Sequence, residues 1–144
     1  MKKVVALFVV VAAVGLAAVS ALESTQAEKK GAVFAAAEKA EFKEVIPGVS
    51  KAVIWGDPEK GAYGAFTRFK AGIDNGVHTH TSDVRIVTIE GAYIYRTDAG
   101  EHRVGKGCFL SIPGGTKHWS GGDAKDGALF YEEGVGKFDL VPAK

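Results

Sequence analysis

The chain of 144 residues carries 18 lysines and arginines against 17 aspartates and glutamates, a formal charge of +1. That near-balance excludes the basic footprint of a nucleic-acid-binding protein, and a single cysteine excludes an internal disulfide. Nineteen glycines and one methionine suit turn-rich β-structure better than a helical bundle.

Lys2 and Lys3 precede an apolar run with no further charge until Glu23. A basic start, an apolar stretch and small residues at its end describe a secretory signal peptide over residues 1–21, cut after Ala21. Val19 and Ala21 then stand where a signal peptidase reads; a cut after Ala27 is the second choice. The run is also long enough for an uncleaved anchor, but no lysine or arginine follows it directly, which favours cleavage. Export predicts a periplasmic or secreted protein that no longer touches the membrane. Its mature part has 123 residues (144 − 21) and, without the two lysines, a formal charge of −1. That length suits one domain with its own core.

Residues 22–41 are polar and alanine-rich and read as a linker with a short helix near 35–40. From residue 42 to 144 the text becomes short β-like runs, expected at 51–55, 63–69, 77–80, 84–90, 92–96, 102–104, 108–112, 128–132 and 137–141. GDPEKG, KAGIDNG, TDAGE, GKG, PGGTK and GGDAKDG between them hold the residues that turns need. Many short strands at this spacing predict an all-β barrel or sandwich.

Three of the four histidines fall in two places. His78 and His80 stand two apart, so on a strand both imidazoles face the same side. Such nitrogen donors suit zinc, copper, iron or nickel. By itself the pair is weak evidence, since strand faces carry such pairs without metals. Its surroundings are more specific. Five residues separate Gly72 from His78, and Gly91 follows; later come Gly107, five residues, Pro113, Gly115 and His118.

These two segments resemble the paired motifs of the cupin superfamily, G-x5-H-x-H-x3/4-E-x6-G and G-x5-P-x-G-x2-H-x3-N. The stretches AVIWGDPEKGAYGAFTRFKAG, IPGGTKHW and GKFDL are similar to a group of exported, uncharacterised bacterial cupins. The resemblance implies a single jelly-roll β-barrel whose inner face carries both motifs. It also implies a site for one divalent transition metal (Fe, Zn, Mn, Ni or Cu) at His78, His80 and His118, a small-molecule ligand or substrate, and pairing into a homodimer through outer strands. Two positions depart from the pattern. The glutamate of the first motif falls on Val84, with Asp83 and Arg85 beside it, and the closing asparagine is Gly122. The site is therefore a three-histidine site, or one that Asp83, near a turn, completes by turning inward; three histidines are preferred because they already leave open positions on a metal.

Other residues carry less. His102 reads as exposed, Cys108 as a small buried hydrophobe, and Tyr93, Tyr95 and Trp119 as core, with one of them able to wall a ligand pocket. Arg85 and Arg96 are expected to face solvent. Of Glu132 and Glu133, one should face inward. GGTK at 114–117 lacks the spacing of a phosphate loop, and no GxSxG surrounds Ser82 or Ser111. The reading is a metal-binding cupin. As an enzyme it would be an oxygenase, isomerase or lyase, with Asp83, Glu132 and Glu133 the nearby acid–base candidates. The alternative is a non-catalytic ligand-binding or sensing module of the cell envelope.

Overall fold

A computed structural model describes residues 31–144; the expected signal peptide and residues 22–30 of the expected linker lie outside them. One 3-10 turn, Ala37–Lys39, precedes the strands. These are β1 Lys43–Ile46, β2 Val49–Gly56, β3 Tyr63–Phe69, β4 Asp74–Thr79, β5 Val84–Thr97, β6 Gly100–Gly105, β7 Phe109–Ile112, β8 His118–Gly122, β9 Ala128–Gly134 and β10 Val141–Pro142.

All pairings are antiparallel, and β5 belongs to two curved layers. Its first half, Val84 to Gly91, pairs with β9 and β7 in a layer that continues through β3 and β2 to β1. Its second half, Ala92 to Thr97, pairs with β6 and β8, and β8 continues to β4 and β10. The strand crosses between layers at Gly91, whose φ of +64° favours glycine and where a Cβ would run into the Gly127 carbonyl. A bulge between Thr88 and Glu90 helps the bend.

Alternation along the strands builds most of the core. Val84, Ile86 and Thr88 are buried while Arg85 and Val87 face out; Ala128, Phe130, Glu132 and Gly134 are buried along β9. Val49, Phe69, Tyr93, Val104 and Ile112 complete the apolar cluster. Phe130 meets Phe69 and Tyr93 edge-on, with centroids 4.9 and 5.2 Å apart.

Several expected elements differ. The runs at 84–90 and 92–96 are one strand of 14 residues. The stretch 137–141 is irregular up to Val141, because the Phe138 N–H bonds to the Pro58 carbonyl, at 2.8 Å, and not to a neighbouring strand. β8 was not expected, since PGGTK before it and GGDAKDG, which begins at Gly121, read as turns. Gly121 and Gly122 are there because Ile73 and Lys70 carbonyls pass where side chains would stand. Cys108 is exposed, correcting its expected burial: its N–H closes a turn on the Gly105 carbonyl, and β7 starts one residue later.

Candidate metal centre

His78 lies on β4 and His118 opposite it on β8, in direct register. His80, just past the end of β4, keeps the side that the i, i+2 spacing assigns it. The ring centroids are 4.4 Å (His78–His118), 5.0 Å (His78–His80) and 5.5 Å (His80–His118) apart. All three residues are buried, and each offers a nitrogen within 4.8 Å of the others'.

Which nitrogen is free follows from the partners of the other. His78 Nδ1 donates to the Gly76 carbonyl at 2.9 Å, and His118 Nδ1 to the Thr116 carbonyl at 2.9 Å. His80 Nδ1 donates to the Asp139 carbonyl. A carbonyl can only accept, so each ring carries a proton on Nδ1 and keeps Nε2 as its remaining nitrogen for a ligand. Among the described residues, His118 Nε2 is a buried side-chain atom with no hydrogen-bond partner, a state that costs free energy unless something binds there. Burial lowers the His118 pKa to about 4 and also lowers that of His78. Both rings are therefore neutral near pH 7, as ligation requires. The donor set fits a divalent transition metal with positions left open.

The segment that delivers His118 is itself fixed. Gly115, with φ +78°, makes the turn that its motif position demands, and its N–H bonds to the His80 carbonyl at 2.8 Å. Asp83 Oδ1 accepts the Gly114 N–H at 2.9 Å. Asp83 is thus outside the histidine group and holds the loop that carries one of its members. Val84, at the glutamate position of the first motif, is buried in the apolar core. Tyr95 stacks on the His118 ring at 5.3 Å, while Trp119 packs beside Arg96 and Lys117. His102 is exposed. Arg85 pairs outward with Glu133, and Arg96 with Asp74.

The opposite wall holds a group that motif reading does not find. Lys51 on β2, Tyr63 and Thr67 on β3 and Glu132 on β9 are all buried. Lys51 Nζ and the Tyr63 hydroxyl both donate to Glu132 Oε1, and Thr67 Oγ1 donates to Oε2 at 3.2 Å. Glu132 is the inward member of the 132/133 pair. Burial alone would raise its pKa; the charge and hydrogen bond of the Lys51 ammonium, with the Tyr63 hydroxyl, outweigh that and hold the carboxyl below its usual range. The Tyr63 hydroxyl is pushed up by burial and by that carboxylate. The signal that could have placed Glu132 is parity: Ala128 and Phe130 are the apolar members of the same face.

A family profile described as a domain of unknown function, DUF4437, matches residues 39–144. No curated protein sequence matches the chain significantly. Solved structures do. The polyketide cyclase RemF from Streptomyces resistomycificus superposes with a TM-score of 0.65 at 14% identity, over 77% of this chain and 84% of that one. KdgF from Halomonas sp. gives 0.58 at 19%, over 74% and 94%. An RmlC-like cupin from Shewanella frigidimarina gives 0.57 at 18%, over 71% and 89%. At these identities the likeness is one of fold, and the fold is that of the RmlC-like cupins.

Proposed function

The chain belongs to the DUF4437 family of domains of unknown function, and we propose that it is a metal-binding cupin acting on a small molecule. One observation carries this reading. Three imidazoles, each with Nδ1–H tied to a backbone carbonyl, converge their Nε2 atoms in the interior, and one of those atoms has no partner. His78, His80 and His118 hold one divalent transition metal, zinc, iron, manganese, nickel or copper. When bound, such an ion supplies a Lewis acid with open coordination positions. The chain's own part is to orient the rings through their Nδ1 partners, keep His78 and His118 neutral and exclude bulk water by burying all three. The shared fold with a polyketide cyclase agrees with small-molecule chemistry. The basic and apolar start of the chain supports export, with cleavage after Ala21 releasing the domain into the periplasm or medium.

Untagged protein, stripped with chelator and reloaded, is expected to bind about one metal per chain by elemental analysis. His80→Ala should weaken that binding at least about 100-fold, more than loss of an outer hydrogen-bond partner does. No metal uptake by the wild type overturns the proposal. The alternative is a non-catalytic module whose metal is structural, and the deep burial of the rings favours it. There His80→Ala lowers the melting temperature as sharply as metal removal does. In an enzyme the variant stays folded and loses turnover.

A further inference from the structure

Phe138 lies against both the histidine group and the charged wall. Its ring centroid is 4.0 Å from Lys51 Nζ, 5.7 Å from the His80 ring and 6.2 Å from the Tyr63 ring. Unlike the other interior aromatics, it does not come from a strand. It hangs from the irregular stretch 135–140, held by the Phe138 N–H on the Pro58 carbonyl and by Asp139, which accepts from His80 Nδ1 and, through its carboxylate, from Thr81. A narrow crevice beside it, lined among others by Tyr63, His80, Ser82, Phe138 and Asp139, leaves no room for a water molecule. A half-buried loop phenylalanine thus lies against His80 of one polar group and Lys51 of the other.

We propose that Phe138 occupies the place of the ligand, and that the ligand is a small planar monoanion such as an aromatic carboxylate or a conjugated enolate. This rests on the metal reading above. Planarity follows from the seat: a flat ring lies against the Lys51 ammonium, whose attraction to a π-face is strong away from water. Charge follows from the balance. Lys51 is matched by Glu132, imidazoles are neutral when they ligate a metal, and Asp139 brings one carboxylate to the edge of the slot, so a bound divalent ion still leaves a positive surplus. One anion is what that surplus favours. Entry requires stretch 135–140 to swing out, so the filled state lowers apparent affinity by the fraction that is open.

The test is calorimetric titration of zinc-loaded protein with benzoate, benzamide and acetate. Phe138→Ala is expected to bind benzoate about tenfold or more tightly than wild type, because its competitor is gone. Phe138→Leu, which keeps the apolar packing, should show a smaller gain and covers the case in which alanine unfolds the domain. Benzamide and acetate should bind more weakly than benzoate. The paired change Lys51→Met with Glu132→Leu should keep zinc and reduce benzoate to the level of acetate. Benzoate binding unchanged or weakened by loss of the ring, with zinc in place, overturns this proposal alone. Equal binding of benzamide overturns the anion. Absence of zinc binding overturns the metal reading and this proposal with it.

Discussion

The two inner walls of the barrel handle buried polarity in opposite ways. On the wall of β4 and β8, each histidine satisfies one nitrogen on a backbone carbonyl and leaves the other facing inward; for His118 that atom is partnerless. On the wall of β2, β3 and β9, Lys51, Tyr63 and Thr67 all close on the carboxylate of Glu132. The first wall is incomplete without a guest and the second is complete without one. A set of donors that has finished bonding within itself makes a neutral support, which offers a guest only the free face of the Lys51 ammonium. A set that has not makes a binding site.

The sharpest way to break this comparison is to open the finished wall. Glu132→Leu leaves the Lys51 ammonium buried with no partner, and removal of one member of a buried pair costs about 3–5 kcal/mol. Urea denaturation should show that loss. Adding Lys51→Met removes the stranded charge and should recover most of it, with metal content unaffected in the double variant. If the double variant were no more stable than Glu132→Leu alone, the wall would not be a closed charge pair.

Why one wall was legible in the sequence and the other was not is a matter of spacing. His78 and His80 are neighbours on a strand face, and His118 ends a motif whose glycine and proline make its turn. Each half of the site is therefore local text, brought together by the β4–β8 register. Lys51 and Glu132 are separated by 81 positions, and nothing near Lys51 distinguishes it from a surface lysine until β2 is known to turn it inward. The closing KFDLV alternates like a strand, yet its backbone bonds to Pro58 and His80 make it a strap carrying Phe138. Gly91 was read as part of the motif, and the structure adds that it lets one strand serve both layers.

A gentler probe separates the walls along pH. Histidine has an ordinary value of 6.5, and His118 in the fold lies near 4, with His78 also lowered. Between these values the unfolded chain binds protons that the fold refuses, so stability is full above about pH 6.5 and falls as pH drops toward 4. The metal-free protein should therefore lose melting temperature through that window, and zinc should restore it, since bound metal stabilises the neutral rings. Glu132 is also lowered, but from 4.5, so the other wall yields only below that value. The Lys51→Met, Glu132→Leu variant should keep the loss above pH 4.5. His118→Gln should shrink it. A flat profile from pH 6.5 to 4.5 in the metal-free wild type would mean that the histidine wall is not desolvated as described.

The smallest effect expected is at Asp83, and it decides what that residue is. Its carboxylate holds the Gly114 N–H at 2.9 Å, one loop bond behind His118. Removal of such a bond costs about 1 kcal/mol, so Asp83→Ala should lower stability by roughly that amount and weaken metal binding only a few-fold. Asp83→Asn keeps an oxygen acceptor in the same position and should be close to wild type in both. A ligand would behave differently: alanine and asparagine alike would remove a charged donor from the ion, and affinity would fall toward the level of His80→Ala. Comparison of the two substitutions by zinc titration therefore tells loop support from ligation, and with it whether the unfinished wall is completed by three histidines alone.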